Sequence, residues 1–128
     1  MRSLLPKLAA ATTIGLVGLV GLTSTPAQAV STYHGCPPGY VCVYPGTGYN
    51  NDKPSLKFEA YGNHNLSYQY GLKRLVNNQT GGAWDYECSG YGGTGSTIDA
   101  GTGFSETVLN FTPINSIRLT ASYSPCSG

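Results

Sequence analysis

The strongest constraint on this chain is that it matches itself when slid by 42 residues. Without a gap, Tyr44 falls on Tyr86, Gly48 on Gly90, Tyr49 on Tyr91, Leu56 on Ile98, Leu66 on Val108, Leu72 on Ile114 and Leu75 on Ile117. Most of these positions are apolar or aromatic, as a repeated core requires, although Phe58 falling on Ala100 marks drift between the copies. One copy spans about 40 residues, room for four strands of ordinary length with tight turns. Two copies can pack face to face and close one interior that neither closes alone. The copies are expected at about 41–80 and 83–122, inside a single domain at 30–128.

The local pattern agrees with strands. Val41 to Tyr44, Ser55 to Phe58, Leu72 to Val76, Thr107 to Phe111 and Ser116 to Ala121 are strand-length runs separated by Gly, Asn, Ser and Thr. No window of helix length keeps apolar side chains at helical spacing without a Gly, Pro or Asn cluster inside it, so an all-β antiparallel sandwich of two Greek-key motifs is expected. The first hairpin has the same form in each copy, with Tyr44 and Tyr49, then Tyr86 and Tyr91, around a turn. Gly93 follows in the second copy, where the folded-over chain calls for a positive φ, and Asn51 stands there in the first.

The first 29 residues read as an export signal. Arg2 and Lys7 form a positive start, Leu8 to Leu22 an apolar stretch, and Ala27, Gln28 and Ala29 a small-residue cleavage site. Cleavage after Ala29 leaves 99 residues, a size that buries only roughly two-thirds of its unfolded surface and benefits from cross-links. All 4 cysteines lie in that part, and export favours two disulfides. Zinc is disfavoured because only Cys36 and Cys42 are close in sequence.

Without Arg2 and Lys7, 5 basic residues face 6 acidic ones. Such a neutral surface lacks the cationic face that nucleic acid or an anionic membrane requires. The imidazoles, His34 and His64, sit in no nucleophile motif, and the carboxylates form no visible pair, so an enzyme is not expected. His34 reads as part of a flexible start and His64 as a surface loop residue. Asn65, Asn78 and Asn110 begin glycosylation sequons but serve equally as turn residues.

Tyr86, Tyr91 and Gly93, the duplication, and the Ile114 Asn115 Ser116 Ile117 stretch resemble the βγ-crystallin double Greek key. More narrowly, Cys36 to Tyr44, Asn65 to Gly71, Asn77 to Gly82 and Thr112 to Leu119 resemble the secreted actinobacterial peptidase-inhibitor family typified by the streptomycete metalloproteinase inhibitor. The resemblance implies a βγ-crystallin-like sandwich that inhibits thermolysin-type metalloproteases. Carried onto this chain, the protease-binding loop is Glu87, Cys88, Ser89, Gly90 and Tyr91, within a loop region near 87–95 that Pro45 to Gly48 supplements. The family closes its reactive loop with a local disulfide, whereas Cys88 has no cysteine close after it.

Cys36 and Cys42 flank the turn-prone Pro37 Pro38 Gly39, and the family's first bridge has that spacing, which leaves Cys88 with Cys126. Loop entropy assigns about 4 kcal/mol to the long bridge and ~2.4 to the short one. Calcium sites of βγ-crystallins need paired Asp or Asn, where this chain has Phe111 and Thr112 in one copy and Gln69 and Tyr70 in the other. No metal and no cofactor are therefore expected. The function expected is a secreted, extracellular, monomeric inhibitor of a protease. Rival readings are a module that binds carbohydrate or cell envelope through its tyrosines, and an exported toxin-like antimicrobial.

Overall fold

The computed structural model describes residues 31–128, so the expected signal peptide lies outside the described residues. Eight strands follow one another: β1 (Val41–Val43), β2 (Leu56–Phe58), β3 (Gly62–Asn65), β4 (Leu72–Asn77), β5 (Trp84–Cys88), β6 (Thr97–Thr102), β7 (Ser105–Asn110) and β8 (Ser116–Thr120). They form two antiparallel four-stranded sheets, β2-β1-β4-β7 and β3-β8-β5-β6. Each copy of the repeat supplies three strands to one sheet and lends its third, β3 or β7, to the other. The expected all-β sandwich of two Greek keys is therefore the fold, and the strand exchange is what makes the interior common to both copies.

Alternation along the strands sets the faces. Val41, Val43, Leu75, Ile117 and Leu119 point inward and, with Leu66, Phe111 and Ile114, form the apolar core. Cys42, Tyr44 and Val76 point outward from the first sheet, yet all are fully buried. They are covered by the N-terminal arm, residues 31–40, where Cys36, Tyr33 and Tyr40 pack on them. The second sheet repeats this device: Tyr86 and Cys88 are fully buried, with Tyr123 packed edge-on to Tyr86. Disulfides Cys36–Cys42 and Cys88–Cys126 fasten the two arms, using all four cysteines in the expected pairing.

Tyr44 and Tyr86 occupy matching places. Tyr44 donates its hydroxyl proton to the His34 carbonyl in the N-terminal arm (2.6 Å), and Tyr86 accepts from the Ser124 amide in the C-terminal arm (2.8 Å). Burial pushes the Tyr44 hydroxyl up to about 12. The two rings are thus core of the arm layers, not of the sandwich interior.

The gapless repeat needs one correction. Tyr44 donates its amide proton to Arg74 on β4, whereas Tyr86 pairs with Arg118 on β8. The tyrosines are 42 apart and the arginines 44, so the register slips two residues by the fourth strand. Two residues is one strand period, so on β4 and β8 inward positions still fall on inward positions. At the second and third strands the offset is 45, since Leu56 pairs with Val43 as Gly101 does with Asp85, and Gly62 with Leu119 as Thr107 does with Leu75. Matches at 42 therefore join opposite faces there: Leu66 is buried while Val108 is exposed.

Both histidines also differ from expectation. His64 lies on β3, opposite the core residue Ile117, tilted against the Phe58 ring at 4.9 Å. His34 is fixed, stacked 3.6 Å from the Tyr49 ring with Nδ1 2.6 Å from Asp52.

Candidate functional site

Register places four loops at one end of the sandwich. The ends of β1, β3, β5 and β7 lie beside the starts of β4, β8, β6 and β2. Segments 44–55, 66–71, 89–96 and 111–115 therefore share that end, which joins the two stretches singled out in sequence, 87–95 and 45–48. Within 65–71, 89–96 and 111–115 there is no charged side chain; Tyr, Ser, Gly, Asn and Thr dominate. Tyr68, Tyr70 and Tyr91 expose 86%, 62% and 59% of their surface there.

The 89–96 loop is held by its backbone. Ser89 and Gly90 donate amide protons to Ser96 (3.0 Å) and Thr94 (2.9 Å) within the loop. Gly92 donates to Asn65 Oδ1 at 2.7 Å, and Gly93 to Ser116 Oγ at 2.9 Å. Asn115 Nδ2 reaches the Ser89 carbonyl (2.7 Å), Ser116 Oγ donates to the Gly90 carbonyl (2.6 Å), and Ser127 of the C-terminal arm donates to Gly93 (3.1 Å). Gly93 is required here: its φ is +77° and a Cβ would stand 2.2 Å from Asn63 Oδ1. The positive φ expected at Gly93 and at Asn51 is present at both.

Of the expected binding stretch, Glu87 and Cys88 are fully buried and Ser89 and Gly90 half-buried, so Tyr91 is its one exposed side chain. The loop lacks a local disulfide, yet Cys88–Cys126 lies at its base and hydrogen bonds replace the short covalent ring. Backbone direction reverses at Gly92 and Gly93, so the Tyr91 ring stands on a tight turn and not on an extended strand. Sequence reasoning missed Tyr68 and Tyr70 as part of this end; the signal was the run of seven uncharged residues that holds them, 65–71.

A second cluster fastens the N-terminal arm. Glu106 on β7 accepts hydrogen bonds from Tyr33 (2.5 Å), Tyr49 (2.5 Å) and Arg74 (2.7 Å). Arg74 also lies 4.6 Å from the centre of the Tyr49 ring. Burial alone would raise the Glu106 carboxyl, but the two phenols and the guanidinium outweigh it and hold it below the ordinary glutamate range. The Glu106 hydrogen bond, foremost, raises the Tyr33 hydroxyl, which keeps that phenol a donor. Each member has a partner within the chain, which marks a structural clasp.

Acidic side chains also enter the interior. Asp85 and Glu87 point inward from β5 and are 1% and 0% exposed. Asp99 stands directly opposite Glu87 on β6. Burial pushes all three carboxyls up, Glu87 well above the usual range with Asp85 and Asp99 adding to it. Among the described residues, no group of three His, Cys, Asp or Glu side chains is placed to hold a metal ion. No helix among them is long and apolar enough to cross a membrane.

No protein-family model, no curated protein and no solved structure matches the chain.

Proposed function

We propose that this chain is an exported, non-enzymatic binding protein of the peptidase-inhibitor kind, acting on an extracellular metalloprotease through its tyrosine-bearing end. The observation that carries this reading is the fixed 89–96 loop, which presents Tyr91 on a backbone most of whose amides and carbonyls are already paired. A preordered loop loses little conformational freedom on binding, which lowers the cost of association. Tyrosine, serine, glycine and asparagine are also the residues that dominate recognition loops: the ring supplies contact area with few rotatable bonds, and the others supply adaptable hydrogen bonds. Two disulfides suit an oxidising compartment outside the cell. The metalloprotease target comes from the family resemblance of Cys36 to Tyr44, Asn65 to Gly71, Asn77 to Gly82 and Thr112 to Leu119. With the chain turning at Gly92, inhibition proceeds by covering the protease cleft and not by offering a scissile strand.

The test is a titration of the oxidised protein into thermolysin-like, subtilisin-like and papain-like proteases, with residual activity as readout. Inhibition of the metalloprotease is expected, and Tyr91→Ala should weaken it by roughly 30-fold or more, as loss of an aromatic anchor does. The same substitution, on an exposed ring, should shift unfolding free energy by less than about 0.5 kcal/mol. Absence of inhibition in all three classes at micromolar excess contradicts the reading, and retention on insoluble cell-wall material would then favour carbohydrate recognition by the same tyrosines.

A further inference from the structure

We infer that Tyr68 is the anchor and specificity-determining residue of the tyrosine-bearing end, its ring filling an uncharged, aromatic-sized pocket in the partner's cleft. This assignment rests on the reading of that end as a protease-binding surface. Tyr68 is 86% exposed, against 69% for Tyr123 and 59% for Tyr91, and it leads the large apolar side chains of the described residues in exposure. A single exposed ring is ordinary by itself. What sets Tyr68 apart is its backbone.

The φ of Tyr68 is +56°, in the left-handed region where Cβ crowds the carbonyl that follows and where a bulky side chain is an outlier. Four other non-glycine residues share a positive φ: His34, Asn50, Asn51 and Asp52. Asparagine and aspartate tolerate this conformation, and His34 is held by stacking on Tyr49 and by Asp52. Tyr68 has neither ground. With nearly all of its ring in solvent, no packing within the chain offsets the strain, and glycine or asparagine would serve the fold better. Strain of this kind is found at ligand clamps, where the surroundings impose it.

Here they do. The Leu66 amide donates to the Asn115 carbonyl (2.9 Å) and the Phe111 amide to the Gly71 carbonyl (2.8 Å). Gly71 in turn donates to Thr112 Oγ1 (3.0 Å). Both ends of the loop are thus tied to 111–115, and Gln69 Nε2 closes the tip by donating to the Ser67 carbonyl (3.0 Å). The ring is delivered on a backbone already in place, so little ordering is left to the moment of binding.

The same end defines the partner's chemistry. Segments 65–71, 89–96 and 111–115 carry no charged side chain, so charge pairing across them cannot select a partner. Selection falls to burial of the ring in an apolar pocket, with one hydrogen-bonding group at its far end for the phenol.

Tyr68→Asn and Tyr68→Phe, each oxidised, are titrated beside the parent into the three protease classes, with Tm measured in parallel. Asparagine suits the left-handed backbone but removes the ring, so Tm should hold or rise while inhibition weakens roughly 30-fold or more. Phenylalanine keeps the ring and should stay within about tenfold of the parent. A tyrosine with a structural role alone would not move stability and binding in opposite directions. Equal inhibition by Tyr68→Asn and the parent overturns the assignment and leaves the protease reading standing. So does a Tyr68→Phe loss as large as that of Tyr68→Asn, or a lowered Tm in Tyr68→Asn. A parent that inhibits none of the three classes removes the protease reading itself and overturns the assignment with it.

Discussion

Glu87 shows how far a single residue can depart from what its neighbours in sequence suggest. Between Tyr86 and Cys88 it stands in the stretch assigned to partner binding, yet strand alternation turns it into the interior, where Asp85 and Asp99 face it on the second sheet. Asn77, from the facing sheet, bonds Asp85 and not Glu87. Above the ordinary glutamate range and up to its own raised value, the folded protein holds a proton that the unfolded chain releases, so stability falls as pH rises through that window. The slope approaches about 1.4 kcal/mol per pH unit for one such group. Glu87→Gln keeps a donor for Asp85 without the ionisation and should flatten this part of the curve, leaving the variant more stable than the parent at neutral pH. Urea unfolding from pH 4 to 8 measures it, and parallel curves for parent and variant would show that Glu87 is not the group responsible.

At the level of elements, the arms explain why two disulfides sit on the outward faces and not across the interior. Cys42 and Cys88 point outward from β1 and β5, and each bridge fixes an arm over a buried tyrosine. Replacing Cys88 and Cys126 with Ser should cost about 4 kcal/mol, against about 2.4 for Cys36 and Cys42, because the longer loop restrains the unfolded chain more. Chemical denaturation of the two double variants measures the order, and an equal or reversed loss would mean that arm contacts outweigh loop closure. The strand-length runs read from sequence fall on β1, β2, β4, β7 and β8. The runs did not reveal β3, whose residues are Gly62, Asn63, His64 and Asn65, because none favours strands by itself. Nor did they reveal β5 and β6, where inward Asp85, Glu87 and Asp99 interrupt the apolar alternation on which such a reading depends.

For the whole molecule, the duplication was legible because both copies fill one interior, and the disulfide pairing followed from the resemblance. The strand exchange brings 66–71 and 111–115, each crossing between the sheets, beside the 89–96 loop. That convergence is long-range and leaves no local signature, which is why 87–91 could be picked from sequence while its neighbours Tyr68 and Tyr70 could not. The clasp at Glu106 was hidden for the same reason, since Tyr33, Tyr49 and Arg74 come from three separate segments. Recognition by a prearranged end requires that the loop be ordered before any partner arrives. Amide hydrogen exchange of the free, oxidised protein measures this directly: the Gly90, Gly92, Gly93 and Ser96 amides are expected to be protected alongside those of β5 and β8. Exchange of these four amides at the rate of an unstructured peptide, while the strands stay protected, would contradict it.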